Sequence, residues 1–320
     1  MNLRQLLSIC QIVDHDLRIS DAAEATFRSQ PSVTRQIKEL ESELGFDIFI
    51  RSRNKVLSLT PQGEGLVVIA RRMLHDVDNI HRMRKEITTS TQGDFIIATT
   101  HTHARYVLPP VVQRFMLKFP MVKLSLRQGN PRQCCELVAR GHADIAICST
   151  RGAIHEDVAY IACYKLRRSV VTPRRHPLLR ENPLTLEALA RYPLITYDEA
   201  YDGRQVINTA FSEKGLKPSI VLSAMDADVS KVYVRLGLGI AIIATLAFDP
   251  KLDRHLRRID AGNLFKASAI NLVVRRHSYL RGYAYEFMHL FAPKLSKAGI
   301  EEALFRKTPS STPLDQLPEL

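Results

Sequence analysis

Residues 20–44 read SDAAEATFRSQPSVTRQIKELESEL, a stretch that predicts two short helices joined by a tight turn. Ser20 is a residue type that caps helices, and Pro31 suits the first turn of the second helix, where its missing N–H costs nothing. The apolar residues of the second helix recur every three or four positions, at Val33, Ile37, Leu40 and Leu44. That helix therefore buries one stripe and keeps a polar face. Two helices arranged in this way fit the major groove of DNA.

The charged residues of this stretch are segregated along the second helix. Basic residues occur with no acidic residue between positions 25 and 38, and three glutamates follow within 39–43. A solvated polar face is the alternative interpretation, but the helix geometry and the charge placement together favour DNA readout. The predicted DNA contacts in this stretch are Arg28, Ser29, Gln30, Pro31, Ser32, Thr34, Arg35 and Lys38.

Residues 47–61, DIFIRSRNKVLSLTP, predict two short strands around a polar turn at 52–54. A hairpin beside a recognition helix is a wing, and its basic residues would lie near phosphates, which position a protein without specifying sequence. The predicted wing contacts are Arg51, Arg53 and Lys55. A hairpin that is merely solvated is the alternative.

Length and composition limit the class of protein. The chain has 320 residues, which is more than one average domain, so two or three folded units are expected. The net charge of +12 favours an anionic partner, but residues 1–60 hold equal numbers of basic and acidic side chains, so the local charge pattern is the better sign of DNA binding. No apolar run suits a signal peptide or a transmembrane helix, which predicts a cytoplasmic protein with no membrane partner.

The five cysteines predict neither a metal site nor a cofactor. They form no metal-binding spacing, and an odd number without a secretion signal argues against a disulfide framework. Buried reduced thiols are the favoured interpretation. Redox sensing by Cys134 and Cys135 is the alternative.

A long helix is predicted between residues 60 and 90. Its apolar residues follow a near-heptad seam: Leu66, Ala70, Met73, Val77, Ile80 and Ile87. Packing within the chain is one interpretation of this seam. Because no equally long amphipathic helix is predicted elsewhere, a second copy of the chain is favoured as the partner.

Beyond a polar segment at 88–93, short β-branched runs alternate with helical stretches as far as about residue 300. This alternation predicts an α/β domain with mostly parallel sheets covered by helices. The last segment, 301–320, turns to Pro, Ser and Thr without periodicity, so a disordered tail is predicted there.

These motifs resemble the LysR-type transcriptional regulators. The resemblance is carried by SQPSVTRQIKELESELGFDIFIRS at 29–52 and TPQGEGL at 60–66. Three further stretches resemble the CysB-like branch of that family: ATTHTHARYVLPP at 98–110, DADV at 226–229 and YVRLGLGIAII at 233–243. Members of this branch govern sulfur assimilation and sulfonate use.

The resemblance, which covers about residues 1–295, implies a definite architecture. A winged helix-turn-helix DNA-binding domain would occupy 1–59, a dimerisation linker helix 60–90 and an effector-binding domain 91–300. That last domain would resemble periplasmic binding proteins, with a cleft between subdomain I (about 91–163 and 268–300) and subdomain II (about 164–267). The protein would bind promoter DNA as a homodimer or homotetramer and would act, as an activator, with RNA polymerase.

The effector site is predicted where the first strand of the effector domain enters a helix. Residues 99–103 read TTHTH, and hydroxyl groups beside the free N–H groups of a helix start suit an anion. The resemblance implies that the ligand contacts are Thr100, Thr102, His103, Ser149 and Asp202. The ligand would be sulfate, an O-acetylserine-like metabolite or a sulfonate-related compound.

Two of these positions depart from the family pattern. His103 stands where Gln is usual, and Asp202 replaces Thr in a T-G-R triplet, giving DGR at 202–204. A carboxylate that faces sulfate in a desolvated cleft would repel it. We therefore expect Asp202 to select an effector that carries an ammonium group, or to pair with His103 or Arg204.

Other classes of protein fit the sequence less well. An enzyme with a metal at His101, His103 and Asp202 is disfavoured, because histidines two apart at a helix start rarely face one ion and no catalytic motif accompanies them. A periplasmic solute-binding protein would need a signal peptide and would lack the helix-turn-helix. A DNA-binding protein without small-molecule input stays open, as does a LysR-type regulator of a different pathway with an altered effector.

Overall fold

The computed structural model describes residues 1–52, 55–88, 91–150, 155–305 and 313–320. These residues form two units, Met1–Ile87 and Thr88–Leu320. Arg53, one of the predicted wing contacts, lies outside the described residues. None of the described helices combines the length and the apolar character needed to cross a bilayer.

The first unit is a winged helix-turn-helix followed by a long helix. Its elements in chain order are α1 (Leu3–Asp14), α2 (Ile19–Ala25), α3 (Gln30–Leu44), β1 (Phe49–Ser52), β2 (Lys55–Leu59) and α4 (Pro61–Thr88). Strands β1 and β2 pair antiparallel as the predicted hairpin. The apolar stripe of α3 packs with residues of α1, β1 and α4 in one hydrophobic core. The predicted winged helix-turn-helix is confirmed.

Helix α2 begins two residues earlier than the sequence predicts. Its N-cap residue is Arg18, which makes no side-chain capping bond, and Ser20 donates to the Asp21 carboxylate at 2.8 Å instead. The prediction of Ser20 as the cap is wrong, because a tight turn with positive φ at Asp16 and Leu17 fixes where the helix can begin.

Glu41 ties the recognition helix α3 to the wing. Its side chain is 7% exposed, and its carboxylate accepts hydrogen bonds from the N–H groups of Ile48 (2.8 Å) and Phe49 (3.3 Å). The same carboxylate pairs with the Arg51 guanidinium at 2.9 Å. Arg51 makes this bond within the domain because a buried carboxylate needs a cation or donors around it. Its contact with DNA phosphates stays a prediction.

The near-heptad seam of α4 has two different halves. Leu66 and Ala70 pack into the core of the first unit, as the intramolecular interpretation requires. Met73 and Ile80 lie further along and are exposed, at 37% and 65%. The side chain of Ile87 lies outside the described residues. Only the later half of the seam is thus available to a second copy of the chain.

The second unit contains two five-stranded sheets. Its strands are β3 (Gly93–Thr99), β4 (Val122–Gln128), β5 (Ile145–Ser149), β6 (Val158–Leu166), β7 (Arg168–Pro173), β8 (Leu194–Tyr197), β9 (Ile220–Ala224), β10 (Ile240–Ala244), β11 (Leu256–Asp260) and β12 (Ser268–Arg275). Its helices are α5 (His101–Tyr106), α6 (Leu108–Lys118), α7 (Pro131–Ala139), α8 (Leu186–Ala190), α9 (Asp202–Glu213), α10 (Ala227–Arg235), α11 (Gly282–Phe291) and α12 (Lys297–Phe305).

Each sheet belongs to one lobe. The first lobe has the sheet β4-β3-β5-β12-β6 with α5, α6, α7, α11 and α12. The second lobe has the sheet β11-β7-β10-β8-β9 with α8, α9 and α10. The chain passes between the lobes at 166–168 and again at 260–268. An α/β effector domain with two sheets is confirmed.

The sheets are mixed, so the prediction of mostly parallel sheets is wrong. The pairs β3/β4, β3/β5, β8/β9 and β8/β10 are parallel, and the pairs β5/β12, β6/β12, β7/β10 and β7/β11 are antiparallel. Parallel neighbours need a crossover connection, usually a helix. Strands β7 and β12 each enter their sheet directly from the other lobe, without such a helix, and run antiparallel to both neighbours.

The C-terminal segment is ordered where it is described, which contradicts the predicted disorder for 301–305 and 313–320. Helix α12 continues to Phe305, and Leu317 is buried. Glu319 pairs with Lys165 of β6 in a short parallel bridge and forms an ion pair with Arg167. Polar composition did not reveal these contacts, because the partners lie more than a hundred residues away in the chain.

Glu41→Ala is expected to lower the free energy of unfolding of the first unit by about 2–4 kcal/mol, because two buried N–H groups and a guanidinium lose their acceptor. Hydrogen exchange of peptides from residues 1–87 in the full-length protein, measured across a urea series, reports this loss. The control is Glu39→Ala, which removes a 57% exposed carboxylate paired with Arg35 and should cost less than about 0.5 kcal/mol. Equal losses in the two variants would contradict the bridging role of Glu41.

Candidate DNA interface and effector cavity

Helix α3 presents a polar face that is open to solvent. An open groove along this face is lined by Gln30, Pro31, Thr34, Arg35, Lys38, Glu39 and Ser42. The Arg35 side chain is 77% exposed, with its guanidinium 3.5 Å from Glu39. Exposed cationic side chains on such a helix can bind the edges of bases and the phosphates of DNA. Three further predicted contacts, exposed or half-buried, are Ser29, Ser32 and Lys55.

Arg28 and Thr34, which are predicted DNA contacts, also make hydrogen bonds within the first unit. Arg28 donates to the Gln36 side chain at 3.0 Å, and the Ser8 hydroxyl donates to the same oxygen at 3.0 Å. Thr34 donates to the Gln30 carbonyl at 3.0 Å. These bonds orient the side chains at the start of α3, which is the end that enters a major groove in helix-turn-helix proteins.

The second unit contains a small cavity at the border of its two lobes. About 50 Å³ of it is accessible to water-sized molecules. The structure brings all five predicted effector contacts together in its wall: Thr100, Thr102, His103, Ser149 and Asp202. The sequence did not reveal three large polar residues of the wall: Arg168, Tyr197 and Tyr201.

Thr100 and His103 form a hydrogen-bonded pair in this wall. Thr100 is the N-cap residue of α5, but its hydroxyl makes no capping bond and lies 2.8 Å from Nδ1 of His103. His103 is 2% exposed, and burial lowers its pKa from 6.5 to about 4. The ring is therefore neutral at pH 7. If the Thr100 hydroxyl donates to Nδ1, the N–H at Nε2 of His103 is left to donate to a ligand. If Nδ1 donates to the hydroxyl oxygen, the Thr100 O–H is left to donate instead.

Two buried polar atoms of residues in the cavity wall, His103 Nε2 and Ser149 Oγ, have no hydrogen-bond partner among the described residues. Ser149 is the last residue of β5 and is 9% exposed. Buried polar atoms are nearly always bonded, because an unbonded one costs about 1–3 kcal/mol. These two atoms mark the part of the wall where a polar ligand would be held.

A buried guanidinium and a carboxylate share another part of the wall. Arg168 is 2% exposed and donates to the Ser268 hydroxyl at 2.7 Å and to the Lys266 carbonyl at 2.8 Å. Ser268 in turn donates to the Asp202 carboxylate at 2.6 Å. Because the Ser268 hydroxyl joins the two groups, the Arg168 guanidinium and the Asp202 carboxylate lie close together in the wall.

The two pairings suggested for Asp202 are not seen among the described residues. His103 bonds to Thr100. Arg204 is 8% exposed and donates to the Tyr197 carbonyl at 3.1 Å, which anchors the start of α9 to β8. Residues two apart on a helix do not face each other, so Asp202 and Arg204 point to different surroundings.

Tyr197 of the second lobe lies in the cavity wall together with Thr102 of α5. Its hydroxyl accepts from the Ala244 N–H at 3.1 Å. Burial raises the pKa of Tyr197, so the hydroxyl stays protonated. No periodicity or motif marks Tyr197 or Arg168 in the sequence. Tyr201 directly precedes the DGR triplet and could have been recognised by that position.

The metal-enzyme alternative has no support in the described residues. His101 lies 3.1 Å from Asp228 through Nε2 and 3.3 Å from Gln128 through Nδ1. His103 bonds to Thr100 instead, so the two histidines do not face one ion.

The five cysteines are buried free thiols, as the favoured interpretation expected. Burial raises the pKa of Cys134 to about 12 and that of Cys163 to about 12. These two thiols are therefore unreactive at neutral pH, because the thiolate is the reactive form. The hydrogen bond with Cys148 instead lowers the pKa of Cys135.

Two family models match the chain. Residues 3–64 match the bacterial regulatory helix-turn-helix protein, lysR family, and residues 88–296 match the LysR substrate binding domain. The second match alone covers more than half of the chain.

Several named proteins are similar over nearly the whole length. The HTH-type transcriptional regulator CysB of Burkholderia cenocepacia is 42% identical over 304 residues, which are 95% of this chain and 97% of that protein. The HTH-type transcriptional regulator SsuR of the same organism is 41% identical over 300 residues, 94% of this chain and 97% of that protein. Among solved structures, the cofactor-binding domain of the Cbl transcriptional regulator matches with a TM-score of 0.65 and 40% identity, covering 68% of this chain and 95% of that one. With both of its domains matched in this way, the chain is a DNA-binding transcriptional regulator and not an enzyme, and it belongs to the LysR family.

Proposed function

We propose that this regulator senses a small sulfur-related metabolite in the effector cavity and activates genes for sulfur assimilation, namely cysteine biosynthesis or sulfonate use. The observation that carries the proposal is the pair of unbonded buried atoms, His103 Nε2 and Ser149 Oγ, in the wall of one cavity. A ligand that bonds both atoms recovers the free energy that their burial costs. Similarity to proteins named CysB and SsuR supports the sulfur-related pathway.

The charges of the cavity favour an effector with both an ammonium group and an acceptor group, such as an O-acetylserine-like metabolite. Arg168 and Asp202 lie on the wall together, and His103 is neutral at pH 7, so these side chains supply no net positive charge. A sulfate dianion beside the Asp202 carboxylate would place two like charges close together in a desolvated wall, where they repel each other. An ammonium group beside Asp202 would instead be attracted.

DNA binding is proposed to occur at pseudo-palindromic promoter sites, with α3 in the major groove of each half-site. The exposed apolar side chains of α4, at Ile69, Met73, Ile80 and Met83, support pairing of two copies, because they recur every three, four or seven residues on one helix. A homodimer or homotetramer of this kind would place two recognition helices on one site. We also propose that the protein recruits RNA polymerase and acts in the cytoplasm.

A second candidate is a LysR-type regulator of another pathway with a different effector. The residues that favour it are Asp202 and His103, which differ from the pattern of the CysB-like branch. The ligand screen below separates the two candidates.

Arg35→Ala is expected to weaken binding to duplex DNA by about tenfold or more, because a base or phosphate contact of an arginine contributes about 1–3 kcal/mol. Fluorescence anisotropy with DNA that the wild-type protein selects from a random-sequence pool measures the loss. The matched control is Arg132→Ala, since Arg132 is also 77% exposed and pairs with a glutamate four residues later. An unchanged affinity for Arg35→Ala would show that this face of α3 does not read DNA.

Asp202→Thr is expected to raise the affinity for sulfate by about tenfold and to lower the affinity for O-acetylserine by a similar factor, because it removes the negative charge from the wall. Calorimetry on the full-length protein measures both constants. Asp198→Asn is the control, since it removes an exposed carboxylate four residues away. Equal sulfate binding by native protein and Asp202→Thr would refute the selective role.

A wider screen tests the effector class itself. O-acetylserine, N-acetylserine, thiosulfate, sulfate or a sulfonate is expected to raise the Tm of the native protein and not that of Ser149→Ala. If none of these compounds raises the Tm of protein that still binds DNA, the second candidate function replaces the first.

His103→Gln is expected to reduce the loss of stability on acidification. Because the pKa of His103 falls from 6.5 to about 4 on folding, the unfolded chain takes up a proton between these pH values and the folded chain does not. The native protein should therefore lose about 2 kcal/mol from this group between pH 7 and pH 5, and the variant should not. Thermal unfolding at both pH values gives the difference, and identical pH dependence in the two proteins would contradict the buried neutral ring.

A further inference from the structure

The DADV motif at 226–229 is used by neither the DNA interface nor the cavity wall. Its first aspartate, Asp226, caps α10 by accepting from the Val229 N–H at 2.8 Å. Its second aspartate, Asp228, lies in the first turn of α10 in the second lobe and is 28% exposed. The side chain of Asp228 contacts α5, which belongs to the first lobe.

Three side chains of α5 converge on the Asp228 carboxylate. The Tyr106 hydroxyl donates to one oxygen at 2.6 Å. His101 Nε2 lies 3.1 Å and Arg105 Nε 3.0 Å from the other oxygen. An ionised carboxylate has about four lone-pair sites, so it can accept from all three groups at once. These bonds join the two lobes through two short helices.

Lys231, which lies in the second lobe, contacts the same carboxylate. Its ammonium lies 3.3 Å from Asp228, donates to the Tyr106 hydroxyl at 2.9 Å and pairs with Asp253 at 2.9 Å. Burial opposes its charge, but the hydrogen bonds to Tyr106 and Asp253 raise the pKa of Lys231 above its usual value. The lysine therefore stays charged and holds Tyr106 between the lobes.

The cluster is an ion-pair network and not a metal site. Ligand atoms of His101, Asp226 and Asp228 lie within 4.8 Å of one another, a spacing that a cation could use. Arg105 and Lys231 contact the same carboxylate at 3.0 Å and 3.3 Å, however. Two positive charges at this distance oppose a bound metal ion.

Helix α5 carries cavity residues as well as the donors to Asp228. Thr102 and His103 line the cavity together with Tyr197 of the second lobe. Helix α5 has six residues, and its backbone hydrogen bonds connect one turn to the next, so the whole helix moves as one body. The contacts of α5 with Asp228 therefore set where Thr102 and His103 lie in the cavity.

We propose that Asp228 is a positioning residue for effector binding: it holds α5 against α10 and thereby fixes Thr102 and His103 in the cavity wall. The inference rests on the proposed function of the cavity as the effector site. An effector that bonds α5 on its cavity side acts on the same helix that bonds the second lobe through Asp228. This arrangement couples the occupancy of the cavity to the contact between the lobes.

Asp228→Asn tests the proposal, because it keeps the shape of the side chain and removes its charge. In the full-length protein, amides of residues 101–106 are expected to exchange about tenfold faster. Calorimetry is expected to give about tenfold weaker binding of O-acetylserine. Tyr106→Phe, which removes one donor without changing any charge, should shift both readouts in the same direction by a smaller factor.

The matched control is Glu286→Gln. Glu286 is 27% exposed and pairs with Lys118 at 2.7 Å, between α11 and α6 of the first lobe. Neither readout should change in this variant. Unchanged exchange of 101–106 in Asp228→Asn overturns the proposal, and so does faster exchange with unchanged affinity. If native protein does not bind O-acetylserine, the proposed effector class fails, and the exchange result alone decides whether Asp228 holds α5.

Discussion

The direct passage of the chain from β6 to β7 is the constraint on which the effector domain depends. Only Arg167 separates the two strands, and its carbonyl accepts from the Thr245 N–H of the second lobe at 2.9 Å. Because no helix intervenes, Leu166 and Arg168 lie at the border of the two sheets, and both line the cavity. The C-terminal residues bind at this same passage, through Lys165 and Arg167. The cavity therefore lies beside this one short connection. Strand β7, which follows it, runs antiparallel to its neighbours, and the C-terminal residues of the chain bind next to it.

The DNA-binding unit could be predicted from the sequence because its signals are local. The apolar stripe of α3, the proline at its start and the hairpin that follows are each contained within about fifteen residues, so periodicity and turn chemistry suffice. The bonding partners of its charged residues could not be predicted in the same way. Glu41 follows the basic stretch as one of three similar glutamates in the sequence, but it is the one buried under the hairpin, where it binds Arg51. The periodicity of a helix does not predict which strand packs against that helix.

The effector cavity could be predicted only in part, because its wall comes from both lobes. Ser149 ends β5, and Thr100 and Thr102 lie just after β3, at the N-cap and in the first turn of α5, so all three could be placed by resemblance to the family. Arg168 and Tyr197 reach the cavity through the order of the strands in the second lobe, which sequence alternation does not specify. The same reason explains the error about parallel sheets. Strand direction depends on how the chain passes between the lobes, and a list of apolar runs contains no such information.

The position of the cavity bears on how an effector acts. Its wall contains residues of both lobes, including Thr102 and His103 of α5 and Asp202 of α9. A ligand held there contacts both lobes at once. A ligand shifts a protein between two arrangements only through a difference in its affinity for them, and a wall built from both lobes supplies that difference when the two arrangements place the lobes differently. Since α5 is bonded to Asp228 and Lys231, any movement of α5 that admits a ligand must strain or rearrange the contact between the lobes.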